Sequence, residues 1–225
     1  MGTAGRADVD GIEAAREFID QNKAATAHDE LARPGLTDKQ RETISRIESS
    51  ARRLDHMVND ILDFARLRLG SPMPIAPVRV NLGTLVREVA DEVRSINPGL
   101  SVDLDANCDL MGDWDAERLK QIVSNLLINA IQHGSGKTIR VKAESDEQSV
   151  LLEVSNEGTP IPKELLSTIF DPLVHGKRSD QNRTGLGLGL FIVSEIVYAH
   201  RGTVAVTSSE EAGTTFSVRL PRHLP

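Results

Sequence analysis

The sequence has a single cysteine, few aromatic residues, no excess of positive charge and no long hydrophobic run. Cys108 cannot form an internal disulfide, which is typical of a reducing compartment. The formal net charge of -7 argues against a nucleic-acid-binding protein, which would need a basic surface. No apolar stretch approaches the roughly 18 residues of a membrane span, and the amino terminus lacks the apolar core of a signal peptide. We therefore expect a cytoplasmic chain with no nucleic-acid partner and no membrane segment.

The residues that are present favour a globular protein with an aliphatic core. The chain of 225 residues is long enough for one large or two small domains. Hydrophobic residues make up 39% and charged residues 26%, which excludes a wholly disordered chain. Because aromatic residues contribute only 3%, the core must consist mainly of Leu, Ile, Val and Ala.

Residues 1–70 predict a helical region. Thr37 and Gln40 have the spacing of a capping box, and after them apolar residues recur at alternating steps of three and four. An earlier amphipathic segment covers residues 8–28, and the break at Pro34 and Gly35 predicts a helical hairpin. One hairpin cannot bury its seam on both sides, so we expect two copies to pair in a four-helix bundle. The alternative is packing of the hairpin on its own carboxyl-terminal domain. The seam consists of Ile44, Ile47, Ala51, Leu54, Val58, Ile61 and Ala65.

Helix and strand patterns alternate after a proline-rich linker at residues 71–77. We expect helices over 82–94, 115–133, 162–170 and 189–200, and strands over 100–105, 138–143, 149–154, 202–208 and 214–220. This order predicts an α+β fold whose helices cover one face of a sheet. The run from Gly134 to Thr138 resembles the end of a P-loop. It follows a helix and precedes a strand, so we interpret it as a helix stop.

A pair of asparagines lies inside the predicted helix 115–133. Asn125 and Asn129 are four residues apart, so both amides project from one helix face. Asparagine is a poor residue for a helix interior, because its side chain competes for backbone hydrogen bonds. The pair suggests an amide oxygen that serves as a hard ligand, for instance to magnesium. A hydrogen-bonding role within the core is the alternative.

Two further segments could contact a ligand. Asn156 and Gly158 stand at the end of a strand, where a polar side chain can bond a flat heterocycle while the backbone closes against it. An ordinary strand-to-helix turn is the alternative there. Glycines at every second residue of 185–189 let the backbone approach a polyphosphate, and the helix that follows offers free N–H groups. Lys177 and Arg178, just ahead, could add positive charge.

Together, in this order, the three segments resemble the N, G1 and G2 boxes of the GHKL ATPase superfamily. Within it, the chain resembles the sensor histidine kinases of two-component systems. Residues 169–172 resemble the F box, and residues 213–216 resemble the terminal strand of the family. The resemblance implies a helical dimerisation hairpin at 1–70, a linker at 71–77, and a Bergerat-type α/β sandwich that binds ATP at 78–225.

The resemblance also implies roles for individual residues. Asn129 would be the Mg²⁺ ligand, with Asn125 facing the nucleotide pocket. Asn156 stands where the family usually has an Asp that accepts from the adenine amino group, and Thr214 matches a threonine that helps to hold the adenine. Residues 171–184 would form a mobile lid. The implied ATP-binding set is Asn125, Asn129, Gln132, His133, Asn156, Gly158, Lys177, Arg178, Gly185, Leu186, Gly187, Leu188, Gly189 and Thr214.

The sequence departs from the family at the phosphoacceptor. His28, followed by Asp29 and Glu30, is the candidate, but only 35 residues separate it from Asp63, which places it at the hairpin tip. One function is therefore a kinase that transfers the ATP γ-phosphate to a histidine and on to an aspartate of a response-regulator receiver domain. Another is a kinase-like ATP-binding dimer that lacks its own phosphoacceptor and modulates a partner kinase or response regulator. A serine kinase of the anti-sigma type shares the ATP boxes, but the long hairpin argues against it.

Overall fold

The computed structural model describes residues 37–97, 99–106, 108–174 and 186–223. The chain divides into two compact units, residues 1–72 and 73–225. The predicted helix over 8–28, the break at Pro34 and Gly35, and the candidate phosphoacceptor His28 lie outside the described residues.

In the first unit the structure describes one long helix, α1 (Asp38–Arg68). The predicted capping box is confirmed. Thr37 Oγ1 accepts from the Gln40 N–H at 3.4 Å, and Gln40 Oε1 accepts from the Thr37 N–H at 2.9 Å. Ile47, Leu54 and Ile61, seven residues apart, are 61%, 62% and 46% exposed. These three residues of the predicted seam therefore form a stripe of exposed apolar side chains on α1, whereas Ile44, Val58 and Ala65 of the seam are half-buried.

The second unit is built from helices and strands in mixed order. Its elements are β1 (Val78–Asn81), α2 (Leu82–Ile96), β2 (Ser101–Asp105), β3 (Met111–Trp114), α3 (Ala116–His133), β4 (Gly134–Ser145), β5 (Ser149–Gly158), α4 (Lys163–Leu166), α5 (Gly189–Ala199), β6 (Thr203–Ser209) and β7 (Gly213–Pro221). None of the helices described in either unit is both long enough and apolar enough to cross a membrane.

The five strands of the main sheet have the order β2-β4-β5-β7-β6. β2 pairs with β4 in parallel, and the other neighbours are antiparallel. β1 and β3 form a separate antiparallel pair. Strand residues alternate between buried and more exposed positions, as in β7 with Thr214, Phe216, Val218 and Leu220 buried. The predicted α+β fold is confirmed, with α2, α3 and α5 packed together and against strands of the sheet.

Helix α3 lies at the centre of the core and packs on both α2 and α5. Its buried aliphatic residues recur at helical spacing and include Leu119, Ile122, Val123, Leu126 and Leu127. Burial of each such side chain stabilises the fold by about 1.5–3 kcal/mol. Trp114 and Phe216 are the buried aromatic residues in the part of the chain that the structure describes. The core is therefore mainly aliphatic, as the composition predicts.

The structure differs from the sequence prediction at several boundaries. The strands predicted over 138–143 and 149–154 extend to Gly134 and Gly158, which pair with each other. The helix predicted over 162–170 ends at Leu166. The following turn places the Phe170 ring against Phe216, with centroids 6.3 Å apart in an edge-to-face arrangement. β1, β3 and the parallel pairing of β2 with β4 were not predicted, because these strands are short and pair over long sequence distances.

Candidate functional site

Helix α3 and the start of α5 meet at Asn125. This side chain is 7% exposed, and its Nδ2 donates to the Gly189 carbonyl oxygen at 3.2 Å. A Cβ on Gly189 would lie 3.5 Å from Asn125 Cγ. The first and third predicted segments are therefore brought together in the structure. Asn129, one turn further along α3, is half-buried, and its side chain makes no hydrogen bond with any described residue.

A hydrogen bond also joins the amino end of α3 to the carboxyl end of α5. The Asp115 N–H donates to His200 Nε2 at 3.0 Å, and His200 Nδ1 lies 2.8 Å from the Ile196 carbonyl oxygen. Because a carbonyl only accepts, Nδ1 carries the proton and the imidazole is neutral. His200 is fully buried, and this burial lowers its pKa from the usual value of 6.5. The Asp115 carboxylate caps α3 by accepting from the Arg118 N–H at 3.1 Å.

A row of polar side chains crosses the buried face of the sheet. Asn156 on β5 is opposite Thr214 on β7, and Thr214 is opposite Ser208 on β6. Asn156 and Thr214 are 8% and 6% exposed. Asn156 Nδ2 donates to the Glu157 carbonyl oxygen at 3.1 Å, and the hydroxyl oxygens of Thr214 and Ser208 are 2.7 Å apart. The second predicted segment and Thr214 thus lie next to each other.

Two glycines let the backbone close around Asn156. Gly213 has a φ of +72°, and a Cβ there would lie 2.3 Å from the Asn156 carbonyl oxygen. A Cβ on Gly134 would lie 2.5 Å from the Ala130 carbonyl oxygen and 3.5 Å from Asn156 Nδ2. Neither position has room for a side chain. Gly158, another predicted site residue, pairs with Gly134 at the end of β5.

The Gly-rich segment is described from Leu186 onward and leads into α5. The Gly187 carbonyl oxygen accepts from the Leu173 N–H at 3.0 Å, which joins the segment to the end of the F box. Leu188 is 3% exposed and fixes the segment in the core, whereas Leu186 is 39% exposed. The first N–H groups of α5 have no carbonyl partner within the helix and can face an anion.

The remaining predicted site residues are less informative. Gln132 is half-buried and His133 is exposed, at the carboxyl end of α3. Lys177, Arg178 and Gly185 lie outside the described residues. Ser208 and His200 were not predicted as site residues. The alternation of β6 with β7 across a short turn would have placed Ser208 beside Thr214, whereas no sequence signal pairs His200 with Asp115.

A recess of about 620 Å³ is lined by residues at the other end of β5, including Asp146, Ser149 and Arg219. Its polar groups satisfy one another. Asp146 accepts from the Ser149 N–H, and Arg219 Nη1 donates to Ser149 Oγ at 2.7 Å. Backbone hydrogen bonds hold the pKa of Asp146 below its usual value. None of the predicted site residues lines this recess.

A long helix followed by a sheet-and-helix unit is the order of elements that the resemblance to sensor histidine kinases implies. Residues 114–224 match the family described as "Histidine kinase-, DNA gyrase B-, and HSP90-like ATPase". Residues 21–70 match the "His Kinase A (phospho-acceptor) domain". The chain is 30% identical to the catalytic domain of histidine kinase ThkA, with 66% of this chain and 99% of that chain covered and a TM-score of 0.56. The chain belongs to the sensor histidine kinases.

Other relatives agree with this assignment. The chain is 36% identical to the probable sensor histidine kinase TcrY of Mycobacterium tuberculosis, over 79% of this chain and 38% of that protein. A structure of ThkA in complex with response regulator protein TrrA is 26% identical and covers 96% of this chain and 59% of that chain, with a TM-score of 0.58. The chain spans 24%, 38% and 33% of the length of three curated relatives that it matches. The family and fold predicted from the boxes are confirmed.

Proposed function

We propose that this chain is the ATP-binding transmitter portion of a histidine kinase, which transfers the ATP γ-phosphate to a histidine and on to a response-regulator aspartate. Residues 1–70 would be the dimerisation and phosphoacceptor region, 71–77 the linker and 78–225 the catalytic domain. The observation that carries the proposal is that four separate parts of the sequence meet in two pairs: Asn125 donates to the Gly-rich segment at Gly189, and Asn156 lies opposite Thr214.

The base of the nucleotide would lie against the polar row. Asn156 Nδ2 is bonded to the Glu157 carbonyl oxygen, and Oδ1 accepts no hydrogen bond from any described residue. This oxygen can accept from an adenine amino group, as the usual Asp of the family would. The phosphates would lie near the Gly-rich segment and the amino end of α5, where the helix dipole favours negative charge. Lys177 and Arg178 would add positive charge.

The residues also fit a magnesium ion. Mg²⁺ in phosphoryl-transfer sites usually takes one or two protein oxygens, and the substrate phosphates and water complete its shell. Asn129 offers an amide oxygen, since its side chain makes no hydrogen bond with the described residues. When bound, the ion neutralises phosphate charge. The chain itself supplies the Asn129 oxygen and, through Asn125 and Gly189, the fixed spacing between α3 and α5.

Two protein partners follow from this proposal. The exposed stripe of Ile47, Leu54 and Ile61 has the heptad spacing of a coiled-coil seam, and this supports a homodimer through a four-helix bundle. The likeness to ThkA, which was crystallised with a response regulator protein, supports a receiver domain as the second partner.

The phosphoacceptor decides between two functions. His28 lies within the region matched by the phosphoacceptor family. However, only 35 residues separate it from Asp63, and by the spacing of the family it would then lie at the hairpin tip and not in the middle of the bundle. We expect that the chain binds ATP and does not phosphorylate itself. The second candidate, an ATP-binding dimer that modulates a partner kinase or response regulator, rests on this departure.

Two measurements test the proposal. Calorimetry with ATP, with and without MgCl₂, should show binding that strengthens with the metal, and no binding under either condition would refute it. Incubation with γ-labelled ATP should leave no acid-labile, base-stable label on the chain alone, whereas an added fragment with an intact phosphoacceptor segment should be labelled. Label that appears in the wild type and disappears in His28→Ala would make His28 the acceptor and remove the second candidate.

A further inference from the structure

One polar row interrupts an otherwise apolar sheet face. Asn156, Thr214 and Ser208 are register partners on β5, β7 and β6. The next row on the same face consists of Val154, Phe216 and Val206. The inference rests on the proposed function, because it concerns how this row would read the base of a bound nucleotide.

Ser208 connects the row to a fixed backbone donor. The Ile161 N–H donates to Ser208 Oγ at 2.9 Å, and Ser208 Oγ lies 2.7 Å from Thr214 Oγ1. A backbone N–H can only donate, whereas each hydroxyl has one proton and two lone pairs. A hydroxyl that accepts a hydrogen bond becomes a better donor, because bonds in a chain polarise one another. Acceptance from Ile161 thus favours donation from Ser208 to Thr214 over the reverse, and in that direction the Thr214 proton is left for a ligand.

The amide at the other end of the row has the opposite polarity. The Glu157 carbonyl can only accept, so it holds the Asn156 amide with Nδ2 as the donor and leaves Oδ1 as an acceptor. The row then offers an acceptor at Asn156 beside a donor at Thr214. Adenine has the complementary pattern of an amino group next to an unprotonated ring nitrogen. Hypoxanthine and guanine have a carbonyl oxygen next to a ring N–H, which is the reverse.

We propose that Ser208 is a specificity-determining residue, which orients the Thr214 hydroxyl as a donor and so selects adenine over 6-oxopurine nucleotides. Ser208 acts through Thr214, and it need not touch the base. A base of the reverse pattern would present its ring N–H to Thr214, and the Thr214 proton would then have no acceptor on the base. Such a base would also require the Asn156 amide to flip, which breaks its bond to Glu157 and brings two oxygens together.

The test compares ATP with inosine triphosphate, which differs from ATP only in the reversed donor and acceptor positions at the base. Calorimetry with MgCl₂ gives a Kd for each nucleotide with the whole chain. We expect the wild type to favour ATP, and Ser208→Ala to lower the ratio of the two affinities about three- to tenfold. If Ser208→Ala only loosened the Ile161 loop, the affinities for both nucleotides would fall equally, and their ratio would stay unchanged. Ser208→Thr keeps the hydroxyl and should restore the ratio.

A matched control lies on the other face of the same strands. Ser155 Oγ and Thr215 Oγ1 form a hydroxyl pair at 2.9 Å, one residue along from the row, and their side chains point away from it. Ser155→Ala should leave the ratio at the wild-type value. An unchanged ratio in Ser208→Ala, or equal affinities for both nucleotides in the wild type, would overturn the role of Ser208 while leaving ATP binding established. Binding of neither nucleotide would refute the proposed function and this inference together.

Discussion

Replacement of His200 by phenylalanine should destabilise the second unit without removing any of the proposed contacts to ATP. His200 is fully buried and accepts from the Asp115 N–H at 3.0 Å. Phenylalanine keeps the bulk of the ring but leaves this buried N–H without an acceptor, which costs about 1–3 kcal/mol. The Ile196 carbonyl oxygen keeps a partner, because it also accepts from the His200 backbone N–H at 3.1 Å. We therefore expect the free energy of unfolding to fall by about 2 kcal/mol, which lowers the Tm by about 4–8 °C for a unit of this size.

The single tryptophan makes the measurement local. Trp114 is adjacent to Asp115 and fully buried, so its fluorescence reports unfolding of the second unit. His200→Gln is the matched variant, because its amide oxygen can accept from the Asp115 N–H, and its loss should stay below about 1 kcal/mol. Equal Tm values for wild type and His200→Phe at pH 7.5 would show that the hydrogen bond does not stabilise the unit.

The pH dependence gives an independent check on the same residue. Burial lowers the pKa of His200 in the folded chain below its usual value of 6.5. As the pH falls below 6.5, the unfolded chain takes up a proton that the folded chain does not, so the free energy of unfolding decreases. The slope is at most about 1.4 kcal/mol per pH unit for one group. His200→Phe should lack this component between pH 6.5 and the lowered pKa, and a wild-type slope in the variant would contradict the assignment.

Three further predictions concern the site and the assembly. Asn129→Ala should weaken ATP binding in MgCl₂ and leave ATP binding in EDTA unchanged, and an equal loss in both would show that Asn129 does not bind the metal. Asn129→Asp should alter the metal dependence of ATP binding. Leu54→Glu should convert dimers to monomers, as measured by light scattering. Val78→Glu should not, because Val78 is also exposed, at 55% against 62% for Leu54, but lies outside the stripe. Gly213→Ala should lower ATP affinity by roughly tenfold or more, because its Cβ would meet the Asn156 carbonyl oxygen. Gly99→Ala should keep the affinity, because Gly99 also has a positive φ but a Cβ there would meet no other atom.

Much of the fold could be predicted because its signals are local. The capping box at Thr37, the long helix that ends at His133 and the helix stop at Gly134 depend on neighbours within a few residues. The three boxes were found for the same reason, since each is a short contiguous motif. The motifs alone do not show that the boxes lie close together in space; the resemblance to the family implies it. The structure adds the hydrogen bond between Asn125 and Gly189.

The features that sequence reasoning missed depend on contacts between distant segments. His200 and Asp115 are 85 residues apart, and neither lies in a recognisable motif. β1 and β3 pair only through four residues each, too few for a periodic pattern. The short helix α4 ends at Leu166, and Phe170 in the turn after it packs on Phe216, a residue 46 positions away that the local helix pattern does not take into account.

The register of the β6–β7 hairpin determines the polar row of Asn156, Thr214 and Ser208 as much as the identity of these residues does. Side chains alternate between faces along a strand, so a slip of one residue in β7 would turn Thr214 outward and place Gly213 or Thr215 beside Asn156. The turn between Ser209 and Gly213 opposes this slip, since Gly213 takes a φ of +72° that favours glycine. Gly213 also lies where its backbone meets the Asn156 carbonyl, so no residue with a side chain can replace it in that register. One glycine therefore fixes both the hairpin and the face on which Asn156, Thr214 and Ser208 meet.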